Sequence, residues 1–408
     1  MTNTILTGVL VPRTLIGDVC DFGGKVSDDC VAGDLVVREG RAVCLTPSQY
    51  EPGKIVIPRL TEPHVHLDKC FTVGRIENVG GDLAAAIEAQ RADMANWTEA
   101  DIRHRAARAI KELEKAGCGA VRTHVDWDFQ MERTGAPTAW EVLRELATES
   151  HMIVQRAALV GIDHMIDGCT AHSLARDIAR DGGVMGAFVL DQDNRETGLA
   201  NMFREADRLG LALDFHVDEG LSPGLDGIEL IADIALSFGF GGPILCGHAC
   251  SLANLPDGDV RRIADKLAEA GITIAVLPQT NLYLQGRTSG TPDRRGITRL
   301  HELRAAGVNV TVGVDNVCDA FCPVGRHDPL YTLNLSVLAA HLDPPIGGHL
   351  PLITTNAQAA LGLAPVTVDG THIDDLLIFD ADSTAGLLNA PVPQSFSDVL
   401  RNDGGQLQ

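Results

Sequence analysis

The 408-residue chain has no window of the roughly eighteen uninterrupted apolar residues that a membrane-spanning helix requires, so a membrane partner is not expected. Positive charge is scarce: 33 Lys and Arg stand against 55 Asp and Glu, a formal charge of -22. Such a surface repels a phosphate backbone, which argues against a nucleic-acid polymer as partner and mildly favours neutral or cationic small molecules. Cysteine is present without a framework. Its positions, Cys20, Cys30, Cys44, Cys70, Cys118, Cys169, Cys246, Cys250, Cys318 and Cys322, lack the dense spacing of a secreted disulfide scaffold and read as reduced thiols. The CxxxC pairs Cys246/Cys250 and Cys318/Cys322 would permit a structural zinc, but that spacing is permissive and both pairs sit beside stronger motifs. Met1 to Asp18 shows neither a basic segment before an apolar core nor an Arg-rich amphipathic presequence, so a cytoplasmic location is expected.

What the chain does have is rhythm. Short alternating runs at Ile5 to Val11, Asp34 to Arg38, Val43 to Leu45 and Lys54 to Ile57, broken at Gly23-Gly24 and Pro52-Gly53, read as half of a small β domain. Another apolar strand, Ile373 to Phe379, follows Asp369-Gly370, so the two chain ends are expected to build that domain together. Between them, apolar runs alternate with helical stretches, the pattern of parallel βα units. The expected strands are Ile57 to His66, Ala120 to Val125, Ile153 to Val160, Val184 to Leu190, Leu211 to His216, Pro243 to His248, Thr273 to Leu277 and Asn309 to Val314. One helix is legible from its ends: Thr98-Glu99-Ala100-Asp101 resembles a capping box, Ile102, Ala106, Ile110 and Leu113 recur on one face, and Gly117 stops it. The fold expected is α/β, a (β/α)8 TIM-type barrel over residues 58–365 with a small β-sandwich domain from residues 1–57 and 366–408. Asp403 to Gln406 reads as disordered.

In such a barrel the reactive groups stand at the C-terminal ends of the strands. Five expected strands run into titratable residues: His64-Val65-His66, His124-Val125-Asp126, His216-Val217-Asp218-Glu219, His248, and Asp315-Asn316. Strand alternation puts His64 and His66 on one side of the chain, so both imidazoles can aim at one ion. A lone strand-end histidine is more often a hydrogen-bonded structural residue; convergence is what favours a metal. Imidazole and carboxylate suit zinc or ferrous iron, and three His with one Asp leave a position open to water, whose pKa such an ion lowers toward ~7.

These motifs, spread from Ile57 to Pro323, resemble the amidohydrolase superfamily and, within it, the cytosine deaminase group. Thr61-Glu62-Pro63-His64-Val65-His66-Leu67-Asp68 resembles the first-strand motif of that group, and Val121-Arg122-Thr123-His124-Val125-Asp126 and His216-Val217-Asp218-Glu219 its second and fifth. Asn281 to Arg287, continued by Arg294 to Arg299, is similar to its substrate-side loop after the seventh strand. The resemblance implies one divalent ion, zinc or iron, held by His64, His66, His216 and Asp315. It also implies that Glu219 shuttles a proton to a ring nitrogen, that His248 hydrogen-bonds the attacking hydroxide, and that Asp315 accepts its proton while bound to the ion. A tetrahedral carbon then collapses to release ammonia. Outside that context, Glu219 reads as an exposed loop acid and His248 as a buried strand-end histidine. Substrate contacts are expected from Asn316, Phe321, Gln285 and His124. For His124 and Asp126, a bond orienting a metal ligand is equally open, and Lys69 is open between a pocket role and pairing with an acid. The family commonly assembles into homo-oligomers.

Departures from the pattern narrow the chemistry. Val184 to Asp191 carries no lysine to bridge two ions, which argues for a single metal and for deamination over cyclic amide hydrolysis of the dihydroorotase or hydantoinase type. A catalytically silent barrel would be expected to lack Glu219, His248 or a ligand. Ala157 to Asp163 carries no glutamine, whereas cytosine deaminases resemble one another in presenting one there to the pyrimidine amide edge. Leaving that edge unpaired costs a few kcal/mol unless another residue replaces the contact. Asn316 stands where the group often has a second Asp, and Phe321 where a larger aromatic often sits. The pocket therefore reads as reshaped for a small heterocyclic amine: cytosine, 5-methylcytosine, isocytosine, a creatinine-like ring, an aminotriazine or a pterin.

Overall fold

The computed structural model describes residues 3–17, 22–27, 29–77, 79–127, 135–390, 392–396 and 398–399; the disorder expected at Asp403 to Gln406 lies outside them. The chain ends meet in a six-stranded sheet. Strands β1 (Asn3–Pro12), β2 (Lys25–Ser27), β3 (Cys30–Arg38), β4 (Arg41–Thr46) and β5 (Lys54–Pro58) come from the N-terminal side, and β14 (Leu376–Asp380) pairs antiparallel with β5. A separate apolar cluster including Val9, Val11, Leu35, Val56, Ile378 and Phe396 fills it. The short β2, between Gly23-Gly24 and Asp29, was too brief to show alternation in the sequence.

The run expected as one strand over Ile57 to His66 is divided between two sheets. The Arg59 N–H donates to Asp375 O at 3.0 Å and the Leu60 N–H to Gly117 O at 3.1 Å. The chain thus leaves the end sheet at Pro58 and enters the barrel as β6 (Leu60–Val65). Seven further strands follow: β7 (Cys118–Asp126), β8 (Ile153–Gly161), β9 (Val184–Val189), β10 (Leu213–Val217), β11 (Ile244–His248), β12 (Ile272–Val276) and β13 (Asn309–Val312). They pair in sequential order, all parallel. A parallel bridge between Val65 and Asp315, with the Asp315 N–H donating to His64 O at 2.7 Å, joins the last strand's exit to the first. The expected (β/α)8 barrel is present, with the β-rich end domain beside it.

Helix Glu99–Ala116 shows why the outer elements form where they do. The Thr98 side chain accepts from the Asp101 N–H, Gly117 ends the helix at φ 94°, and Ile102, Ala106, Ile110 and Leu113 are buried. The barrel interior is partly polar. Arg122 Nη1 donates to Asp214 Oδ2 at 2.9 Å, and His124 Nε2 lies 2.9 Å from Asp214 Oδ1, all three side chains being buried. Burial alone would raise the Asp214 pKa; His124 and Arg122 outweigh it and hold the carboxyl at about 2. Removing one member of such a buried set costs about 3–5 kcal/mol, because the rest stay desolvated without a partner. Cys44, Cys70, Cys118, Cys169, Cys246, Cys250, Cys318 and Cys322 are free thiols. No helix among those residues is long and apolar enough to cross a membrane.

Candidate active site

The strand exits of the barrel gather the histidines. His64 lies next to the end of β6, His66 follows the strand, His216 lies in β10, His248 ends β11, and Asp315 stands beyond β13. Several exits are locally strained: Asp218, His248, Ala249 and Asp315 have φ of 50°, 69°, 47° and 65°. Left-handed backbone costs roughly 1–2 kcal/mol at a non-glycine residue and persists only where surroundings enforce it. At Asp218 they are visible: its carboxylate accepts from Gly227 N at 3.0 Å, Ile228 N at 3.1 Å and Ser251 Oγ at 2.9 Å. Asp218 therefore anchors the loop after β10, and the next residue, Glu219, turns into the cavity. Glu62 does similar work at the seam, accepting from His64 N at 2.9 Å and Val314 N at 3.1 Å.

Asp315 Oδ1 lies 3.3 Å from His66 Nε2 and 3.5 Å from His64 Nε2, and His66 Nε2 faces His216 Nε2 at 3.0 Å. Two overlapping sets have ligand atoms all within 4.8 Å of one another: His64, His66, His124 and His216, and His64, His216, His248 and Asp315. The four expected ligands are distributed over these two sets. Among the described residues, both nitrogens of His64, both oxygens of Asp315, and Nδ1 of His66 and His216 are buried without a hydrogen-bond partner. Burial, with Lys69 beside His66 and the neighbouring imidazoles around His216, holds both of those rings well below the usual histidine range, so they are neutral near pH 7. Burial would raise Asp315, but the His64 and His66 contacts outweigh it and keep its carboxylate ionised. Neutral imidazoles and an ionised carboxylate, buried and unpaired at one point, are what a divalent cation requires of its ligands.

Above this cluster lies a cavity of about 360 Å³. Glu219, His248, Asp315, Asn316 and Phe321 line it together with Lys69, Gln90 and Asp126, and Trp127, Leu159 and Phe188 give it apolar walls. Glu219 Oε2 is 3.6 Å from His248 Nε2. Burial, with Asp315 nearby, pushes the Glu219 pKa well above the usual carboxylate range. Burial lowers that of His248 to about 4, so its ring is neutral. His248 Nδ1 is 3.1 Å from Asn281 Oδ1, and Asn281 Nδ2 donates to Gly296 O at 3.2 Å.

Asn316 and Phe321 thus reach the cavity. Asn316 is itself held, its Nδ2 donating to Asp319 Oδ2 at 2.7 Å. Gln285 and His124 are not among the lining residues: Gln285 Nε2 donates to Glu219 O at 3.2 Å, bracing that loop, and His124 packs 4.0 Å from the His64 ring, centroid to centroid. Lys69 does both things left open for it, lining the cavity while its Nζ donates to Asp126 Oδ1 at 2.7 Å. Sequence reasoning missed Asn281, Gln90 and Asp214. Asn281 lay inside a quoted motif, and Asp214 two residues before a histidine, but neither position signals its partner.

Residues 74–368 match the amidohydrolase family model. The chain belongs to the amidohydrolase family. Among its relatives is the pterin deaminase of Rhizobium rhizogenes, 32% identical over 97% of this chain and 92% of that one. Another is the N-isopropylammelide isopropyl amidohydrolase of Pseudomonas sp., 25% identical over 74% of each. The fold matches that of 5-methylcytosine deaminase from Klebsiella pneumoniae with 5-fluorocytosine bound, with TM-score 0.79 and 24% identity, covering 96% of this chain and 95% of the other. This amidohydrolase is accordingly a hydrolytic enzyme, with deaminases among its sequence relatives and its structural neighbours.

Proposed function

We propose that this amidohydrolase deaminates a small amino-substituted N-heterocycle, a pterin or a cytosine- or 5-methylcytosine-like pyrimidine, releasing ammonia. The observation that carries the reaction type is the 3.6 Å approach of Glu219 to His248 in the cavity beside the His and Asp cluster, with burial raising the Glu219 carboxyl and lowering the His248 ring. The pterin deaminase relative, similar along nearly the whole chain, supports the pterin class over the pyrimidines. One zinc or iron ion per chain and a division of the chain at residues 57/58 and 365/366 belong to the same proposal.

His64, His66, His216 and Asp315 would hold the ion, which when bound supplies a water that ionises near neutral pH. Asn281 Oδ1 can only accept, so the His248 proton sits on Nδ1 and its Nε2 is left to accept a hydrogen bond from the attacking water. Glu219, its carboxyl pKa raised by burial, hands a proton to the ring nitrogen beside the amine-bearing carbon and recovers one from the water. The water oxygen adds to that carbon, its second proton passes to the amine, the C–N bond breaks, and ammonia leaves behind a ring carbonyl. Phe321 and Phe188 give the ring an apolar enclosure.

The test is ammonia release by metal-reconstituted protein against pterins, cytosines, isocytosine, creatinine and aminotriazines, with Asp315→Ala as control. Turnover of one class, abolished in the variant, is expected. Ring opening without ammonia would replace deamination with cyclic amide hydrolysis.

A further inference from the structure

The β8 segment Ala157 to Gly161 contributes Leu159 and Gly161 to the cavity and no amide side chain. A ring amide bound there needs its partners from elsewhere. Two glutamines line the cavity among the described residues. Gln192 is committed at both ends, accepting from Leu190 N at 2.7 Å and donating to Phe188 O at 3.3 Å. Gln90, on helix Leu83–Asp93, is not. It is 7% exposed, its Nε2 donates to Asp126 Oδ2, and its Oε1 is buried with no hydrogen-bond partner among the described residues. Asp126 can only accept when ionised, which fixes the amide nitrogen toward it and leaves Oε1 as the unused acceptor.

Asp126 is in turn locked in place. Its other oxygen accepts from Lys69 Nζ at 2.7 Å, and its backbone N–H donates to Asp68 Oδ2 at 3.0 Å. Lys69 is 3% exposed and lines the same cavity. Its ammonium carries three donor hydrogens, and Asp126 is its one hydrogen-bond acceptor among the described residues. Burial would lower its pKa, but Asp126 and Asp68 outweigh that, and it stays charged. One carboxylate therefore holds an unused amide acceptor and an ammonium with spare donors side by side on the cavity wall.

We infer that Gln90 Oε1 and Lys69 Nζ form the specificity element that reads the lactam edge of the substrate, accepting from its ring N–H and donating to the adjacent C=O. The inference rests on the deaminase proposal and takes up the contact that a β8 glutamine would otherwise make. It identifies the preferred substrate as an amino heterocycle with an unsubstituted –NH–C(=O)– edge. Loss of one such buried acceptor is worth about 10- to 100-fold in selectivity.

The experiment compares kcat/KM for pterin and 3-methylpterin, or for whichever heterocycle proves active and its N-methylated lactam, in wild type and Gln90→Met. Methionine keeps the volume and loses the acceptor. Wild type is expected to favour the unmethylated ring strongly. In Gln90→Met, kcat/KM for that ring should fall about 10- to 100-fold while the methylated one stays within about twofold. Equal losses on both substrates, or no loss on either, overturn the lactam-reading role although the deaminase proposal stands. No ammonia from wild type with any ring overturns the proposal itself. Should Gln90→Met lose its cooperative melt, Gln90→Asn, which keeps the amide but withdraws it by one methylene, reads the same ratio.

Discussion

His248 Nδ1 lies 3.1 Å from Asn281 Oδ1, and that contact decides which nitrogen of His248 meets the cavity. The acceptor takes the Nδ1 proton, so the buried and unpaired Nε2 faces the chemistry as a lone pair. Asn281→Leu removes the acceptor and lets the ring hold its proton on either nitrogen. We expect kcat to fall about 10- to 100-fold with KM within about twofold, because the contact orients a catalytic group without touching the substrate. Steady-state kinetics checks the split. The ¹⁵N shifts of His248 should show Nδ1–H in wild type and a tautomer mixture in the variant.

The low pKa of His248 also has a measurable stability consequence. Buried neutral, the ring holds its proton only below about pH 4, against 6.5 for a solvent-exposed histidine. Between those values the unfolded chain binds a proton that the folded chain does not, so stability is full above pH 6.5 and is lost as pH falls toward 4. In metal-free protein, wild type should lose about 3 kcal/mol more than His248→Gln between pH 7 and pH 4. Urea unfolding at both pH values measures the difference. Parallel pH profiles for the two proteins would mean that His248 is protonated or exposed in the fold.

The barrel and the convergence of His64, His66, His216 and Asp315 were legible because both rest on local signals, a repeating apolar run and a titratable residue at its end. The handover from β5 to β6 was legible only in outline: the expected strands shared Ile57, whereas β5 runs to Pro58 and β6 begins at Leu60, a division that depends on Asp375, far along the chain. Gln90 and Asn281 escaped for a related reason. Each lies on a helix, and its role depends on a partner brought close only by packing: Asp126 for Gln90, and His248, 33 residues before Asn281. Gln285 shows the same dependence on packing, since this polar residue of the substrate-loop motif donates to the backbone of Glu219, 66 residues before it.

Removing the metal should destabilise the fold as well as silence it. The His and Asp side chains at the barrel floor are desolvated and lack hydrogen-bond partners, so without an ion their burial is uncompensated. An ion bound only by the folded state adds RT ln(1 + [L]/Kd), about 4 kcal/mol at a thousandfold excess over Kd. Chelated protein should therefore melt a few degrees lower, roughly 1 °C per kcal/mol for a chain of 408 residues. Either zinc or ferrous iron should restore both Tm and ammonia release at one equivalent per chain. Asp315→Ala tests whether the effect belongs to this site. It should bind the ion more weakly and show a smaller Tm difference on chelation, although it removes a buried carboxylate from the apo-protein. An unchanged chelation shift in Asp315→Ala would place the stabilising ion elsewhere in the chain, and metal content by mass spectrometry on both proteins distinguishes the outcomes.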